Sequence, residues 1–310
     1  MVEHLTYHEI FHTESSMAIS PSDVKALRDR TGAGMADCKK ALEETNGDME
    51  AAIEFLRKKG AATAAKRADK AANEGVVATA INEDRTRAAI VEVNCETDFV
   101  ARNEEFSGFV RRLADHILAA QPSDIDGLMA SSMDGKSILD WMNELLGKFN
   151  ERIELRRFEL ISTAGGFIAD YVHNGDRLGV LIEMSGGSGD DRSTTVARDF
   201  AMQVAAMNPG FVRREEVPST LLDKEREILL QQTVNEGKKP EIAEKIVSGR
   251  IEKFFTDACL LEQTFVKDAS KTVRDILSEL NKEVGALLDV TRFVRYNLGE
   301  SVGQPAQAEG

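Results

Sequence analysis

The spacing of apolar residues changes along the chain, and each change marks a different kind of element. From Ile19 to Lys59 apolar residues recur at helical spacing in three short runs: Val24 and Leu27, then Cys38, Ala41 and Leu42, then Met49, Ala52, Ile53 and Leu56. Ser20-Pro21-Ser22-Asp23 reads as a cap, a proline at the first helical position and an acid at the third, and Thr31-Gly32 ends that run. Gly34 opens a tight loop, Asn46-Gly47 closes the second run, Asp48 caps the third, and Gly60 follows it. The pattern predicts a compact three-helix module over 19–60 and an Ala-rich, basic helical linker over 61–74.

From residue 75 the period becomes two, and the pattern then repeats. Gly75-Val76-Val77 leads through a turn at Asn82–Asp84 to Arg87-Ala88-Ala89-Ile90-Val91. Gly166-Phe167-Ile168 leads through His173-Asn174-Gly175 to Arg177-Leu178-Gly179-Val180-Leu181. A helical stripe follows each hairpin: Phe106, Phe109, Val110, Leu113 and Ile117 in the first copy, Val196, Phe200, Val204 and Met207 in the second. The predicted fold class is therefore α+β, a duplicated ββα core of antiparallel sheets covered by helices. Its subdomains are expected at 75–165 and 166–300, with 150–161 as the strand entering the second copy. After Pro218 two opposed stripes flank a turn at Asn235–Pro240: Leu221, Leu222, Ile228 and Leu229 going out, Ile242, Ile246, Val247, Ile251 and Phe254 returning. They predict an inserted antiparallel helical hairpin over 215–257. Gln263-Thr264-Phe265-Val266, a helix over Thr272–Leu280 and a strand-like Val290–Leu298 complete the second copy. Residues 1–18 and 301–310 read as a disordered extension and tail.

Composition narrows the function classes. The 310 residues are 42% hydrophobic and 30% charged, as in soluble globular proteins. No apolar run reaches the length of a membrane span. The start, MVEHLTYHEIFHTESSM, has neither a basic n-region nor an apolar h-region, so a cytoplasmic location is expected. Cys38, Cys95 and Cys259 lie far apart without a CxxC pair, in keeping with a reducing compartment. A net charge of −14 disfavours direct nucleic-acid binding. Arg57, Lys58, Lys59, Lys66, Arg67 and Lys70 run against that trend; they suit a solvated linker or a patch for an acidic partner.

Catalytic chemistry finds little support. Asp134-Gly135-Lys136-Ser137 resembles the end of a phosphate loop, but the required upstream glycine is Ala130 and no strand precedes it. His4, His8 and His12 share a face if helical and could chelate a divalent metal, yet they precede the first capped helix, and Met17 could be the true start. Cys95 and His173 could be imagined as nucleophile and base, without an evident orienting acid. The sequence gives no catalytic residue, metal site or cofactor. The most informative stretch is Thr97-Asp98-Phe99-Val100, where the strand-like run Ala88–Val93 gives way to a helix. A large aromatic at such a junction is either presented to a partner or packed as a hydrophobic staple near Phe106.

Four ordered motifs resemble the elongation factor Ts family, the guanine-nucleotide exchange factors of bacterial elongation factor Tu. They are LRDRTGAGMADCKKALEETNGDMEAAIEFLRKKG, VEVNCETDFVARN, KKPEIAEKIVSGRIEKF and QTFVKDASKTV, and the likeness runs from about Ile19 to Gly299. It implies an N-terminal ubiquitin-associated-like module and a duplicated core with a projecting coiled-coil hairpin. It implies that Asp98 and Phe99 form a wedge entering the GTPase beside its Mg²⁺ site, completed by Thr97 and Val100. Arg28, Met35 and Lys39 would dock on the GTPase's nucleotide-binding domain, Lys66 and Arg67 would extend that contact, and His173 would lie toward the partner's other domains. Ala36 departs from the family pattern, where a larger apolar residue is common. Such a protein is not an enzyme and needs no cofactor; its partner is elongation factor Tu, not a nucleic acid, a membrane or a small-molecule substrate. The alternative is a scaffold that holds partners through the three-helix module, for which an aromatic presented at residue 99 has no use.

Overall fold

In the computed structural model, which describes residues 19–300 apart from Ala68, Asn174 and Lys238, local chemistry sets the first helices. The extension with His4, His8, His12 and Met17, and the tail 301–310, lie outside the described residues. Ser20 Oγ accepts from Asp23 N at 3.1 Å while the Asp23 carboxylate accepts from Ser20 N at 3.3 Å, a reciprocal capping box. Helix α1 (Pro21–Thr31) ends on Gly32 at φ 68°, and α2 (Met35–Glu44) and α3 (Met49–Arg67) follow. Val24, Leu27, Cys38, Ala41, Leu42 and Ala52 form their core. Burial pushes the Cys38 thiol pKa up, leaving it an inert apolar group.

Gly60 does not end α3. The helix runs on to Arg67 and takes up most of the expected linker. A Cβ at Gly60 would stand 2.5 Å from the carbonyl oxygen of Asn143, so the glycine allows a close crossing. Its neighbour there is a helix the sequence reading left unassigned, Ile138–Phe149, numbered α7 in chain order. The described residues up to Asp69 form one unit with Leu139–Glu151, and Lys70–Ile138 forms the other with the residues from Arg152.

The second unit opens with β1 (Glu74–Ile81), β2 (Arg87–Cys95), α4 (Asp98–Ala101) and α5 (Glu104–Ala120). Then come α6 (Ile125–Ala130), the short hairpin β3 (Ser132–Met133) and β4 (Lys136–Ser137), and, beyond α7, β5 (Ile153–Ser162). The second copy runs β6 (Gly166–Val172), β7 (Leu178–Ser185), α8 (Asp191–Met207), α9 (Ser219–Asn235), α10 (Pro240–Ala258), β8 (Thr264–Phe265), β9 (Asp268–Thr272), α11 (Val273–Val284) and β10 (Asp289–Asn297).

The main sheets have the orders β1-β2-β5 and β10-β7-β6, all antiparallel. The repeat is thus larger than ββα: in each copy the inner hairpin strand takes a third partner from far along the chain. Strand β5, expected to enter the second copy, instead closes the first sheet. Helix α5 packs on β1 and β2, and α8 on β6 and β7. The opposite faces of the two sheets meet through Val77, Ile90, Ile168, Leu181, Val294 and Tyr296. Covered on both sides, β2 is buried from Ala88 to Cys95, which is why it reads as a near-continuous apolar run.

The two copies share a charged device. Glu92 on β2 opposes Arg157 on β5, and a bulge follows because Val93 opposes Leu155. Glu183 on β7 opposes Arg292 on β10, again beside a bulge, where Val290 opposes Met184. Arg157 Nε donates to Glu92 at 2.6 Å, and Arg292 Nε donates to Glu183 at 2.8 Å. Glu92 is fully buried, and the Arg157 guanidinium lies 4.0 Å from the Tyr296 ring centroid and donates to the Asn297 carbonyl. Burial and the neighbouring Glu159 push the Tyr296 hydroxyl pKa up.

Helices α9 and α10 pack against each other, along a seam narrower than their apolar content. Val247, Ile251, Phe255 and Cys259 are buried with Leu222 and Leu229 packed against them, whereas Ile228 and Ile242 are about half exposed. Met207 likewise lies outside the α8 core stripe, which ends at Ala205. Arg214 ties the hairpin base to the core by pairing with Glu252 and Glu262, its guanidinium 4.6 Å from the Phe255 ring centroid. Desolvation pushes the Cys259 thiol up to about 12.

Arg157→Ala would leave the buried Glu92 only the more distant Arg156, 3.9 Å away, and should lower unfolding free energy by about 2 kcal/mol or more. Arg292, whose side chain is 45% exposed, should cost at most about 1 kcal/mol when replaced by Ala. Denaturant titrations of the two variants check the ranking.

Candidate functional site

The turn after β2 is built from its own side chains. Thr97 is the N-cap of α4, its Oγ1 accepting from Val100 N at 3.4 Å, and Cys95 Sγ donates to the Thr97 carbonyl at 3.2 Å. Asn103 then caps α5 by accepting from Glu105 N at 2.9 Å. From the β5 side, Arg152 N donates to Glu96 Oε1 at 2.6 Å. Val100 and Ala101 are buried and anchor the turn. Successive helical residues diverge by 100°, so the same turn directs Phe99 outward.

Phe99 is 83% exposed, while Phe106 is fully buried in the α5 core. The staple is therefore absent: the two rings do not share a core. Leaving a phenylalanine in water forgoes roughly 2 kcal/mol of burial. Beside it, Asp98 pairs with Arg102 at 3.1 Å, one helical turn on.

The other residues named from the sequence fall in three places. Arg28 near the end of α1, and Met35 and Lys39 at i and i+4 on α2, are exposed on the first unit, Lys39 lying 3.7 Å from Glu43. Lys66 and Arg67 occupy the last turn of α3, Lys66 exposed and Arg67 half-buried. Exposed His173 starts the β6–β7 turn, its Nδ1 2.9 Å from Tyr171 Oη. That turn is tied to the first copy, since Asp176 accepts from Arg111 of α5 at 2.7 Å and its carbonyl accepts from Val77 N.

The catalytic near misses have structural explanations. Asp134 and Gly135 both have positive φ and form the two-residue turn between β3 and β4, the type I′ pattern rather than a phosphate loop. Cys95 and His173 are engaged separately, with Thr97 and Tyr171. His116 Nε2 stands 2.8 Å from Ser131 Oγ, a pair the sequence reading passed over. Ser131 Oγ donates to the Leu128 carbonyl, so His116 serves it as a donor and does not activate it. Among the described residues no His, Cys, Asp and Glu group could hold a metal, and no helix is long and apolar enough to cross a membrane.

The family model described as Elongation factor TS matches residues 96–300, starting at the turn itself. A Clostridium perfringens protein named Elongation factor Ts is 46% identical over 285 residues, 92% of this chain and 94% of its own length. Its namesakes from Prosthecochloris aestuarii and Thioalkalivibrio sulfidiphilus are 47% and 49% identical, with 91% and 92% of this chain and 99% and 94% of their own lengths covered. The chain belongs to the elongation factor Ts family. Membership gives it a role in translation elongation.

Phe99→Ala should leave unfolding free energy within about 0.5 kcal/mol of wild type, whereas Phe106→Ala should cost about 3–5 kcal/mol. Thermal melts of both variants separate an outward ring from a packed one.

Proposed function

We propose that the chain is a guanine-nucleotide exchange factor that acts in the cytoplasm on elongation factor Tu bound to GDP. In this reading Thr97–Val100 is the wedge: Thr97 and Val100 fix the turn, Phe99 inserts, and Asp98 accompanies it to the partner's Mg²⁺ and phosphate site. Arg28, Met35 and Lys39 of the ubiquitin-associated-like module dock on the nucleotide-binding domain, Lys66 and Arg67 extend that contact, and His173 meets the partner's other domains. The observation that carries the reading is Phe99, 83% exposed on a capped, anchored turn in a chain of this family.

A GTPase holds its nucleotide through phosphate contacts and a Mg²⁺ ion. Disturbing both weakens the hold, and by linkage nucleotide must expel the exchange factor by the same coupling energy. Nothing in that cycle requires an acid, base or cofactor from this chain. A bare scaffold would gain nothing from an aromatic kept in water.

Phe99→Ala should slow stimulated release of labelled GDP from elongation factor Tu at least about tenfold, roughly 1.4 kcal/mol of barrier. Asp98→Ala should act in the same direction but less. Full stimulation by a folded Phe99→Ala protein would overturn the wedge.

A further inference from the structure

The exposed turn carries one cation. Between Asn94 and Phe106 the charged residues are Glu96, Asp98, Glu104 and Glu105 against Arg102 alone. Arg102 sits at the C-cap of α4, 81% exposed, and pairs with Asp98, 44% exposed, at 3.1 Å. A pair so open to solvent adds little to folding. Its position points elsewhere, because it brackets Phe99 on the side chain that travels with it.

We propose that Arg102 is a positioning residue for nucleotide exchange: it holds the Asp98 carboxylate against the flank of α4, so that Phe99 enters the partner's site beside a neutral Asp98–Arg102 pair. The inference rests on the exchange reading above. Mg²⁺ takes carboxylate oxygens as ligands. An unpaired Asp98 delivered to a Mg²⁺ site would therefore offer the ion another ligand and strengthen the hold that exchange has to loosen. A carboxylate engaged by a guanidinium has its charge compensated and an oxygen committed. Arg102 thus decides whether Asp98 arrives as a ligand for the metal or as one half of a closed pair.

The test is labelled GDP release from elongation factor Tu, stimulated by the full chain at micromolar and at millimolar free Mg²⁺. Arg102→Gln should reduce stimulated release about fivefold at millimolar Mg²⁺ and leave it near wild type at micromolar Mg²⁺. Arg102→Lys, which keeps the charge, should stay within about twofold of wild type at both. In an Asp98→Asn background, Arg102→Gln should have no further effect, because the residue acts through Asp98. Melting temperatures of all variants should match wild type. Wild-type rates for Arg102→Gln at millimolar Mg²⁺, an equal loss at both Mg²⁺ levels, or the same loss in the Asp98→Asn background would each overturn the proposal. A wild-type chain that stimulates no release at all would overturn the exchange reading, and the proposal with it.

Discussion

The ion pair between Glu92 and Arg157 is the constraint on which the rest of the core depends. Glu92 is fully buried on a strand covered on both faces, and an ionised carboxylate in that position is tolerable only with a partner. Arg157 supplies it from a strand 65 residues further along the chain. The same guanidinium stacks on Tyr296 and bonds the Asn297 carbonyl, so it also joins the first sheet to the last strand of the second. A register slip of β5 by one residue would turn its side chains to the opposite face and take Arg157 from both Glu92 and Tyr296. The bulge beside the pair leaves Arg156 unopposed in the ladder, with its Nε 3.9 Å from the same Glu92 carboxylate. The second copy repeats the arrangement with Glu183 and Arg292 in a more open setting.

This register reaches the functional turn. At the far end of the β2–β5 ladder Cys95 pairs with Ile153, and one residue beyond, Arg152 N bonds the Glu96 carboxylate. Asn94 Nδ2 adds a bond to the Glu74 carbonyl on the other side. The turn therefore begins from a strand end held on both edges, with Thr97 and Asn103 capping the helices that follow. Such a base suits the insertion proposed for Phe99, because ordering entropy spent during folding is not spent again on binding.

Much of this was legible in the sequence, and the exceptions share causes. Helix caps at Ser20 and Asp48 and the stop at Gly32 are local signals, and the structure uses them as read. Gly60 carries the same letter as a stop but answers to Asn143, more than eighty residues away, which no local pattern reveals. The third strand of the second sheet, near Val290–Leu298, falls in the copy where the pattern puts it, whereas 150–161 reads as a strand of the second copy and pairs in the first, because partner choice is non-local. Helix α7 carries a helical stripe in Ile138, Met142, Leu145 and Leu146, all buried, but it sits between two strands of one sheet and outside the ββα repeat that organises the reading of this region. Ile228, Ile242 and Met207 illustrate the one-way rule that cores are apolar while surfaces are not wholly polar. For Phe99 the sequence supported two readings, and only its exposure separates them. The Asp98–Arg102 pair stands at i, i+4 spacing within the same motif, a spacing that allows an ion pair only once the segment is helical.

The central claim is a coupling free energy between nucleotide and this chain, and a closed thermodynamic cycle measures it most directly. The dissociation constant of the chain from elongation factor Tu, with and without GDP, gives one ratio, and the dissociation constant of GDP, with and without the chain, gives the other. The account predicts two equal ratios well above one for wild type, both falling toward one in Phe99→Ala. Equal affinity of the chain for GDP-bound and nucleotide-free elongation factor Tu would contradict it.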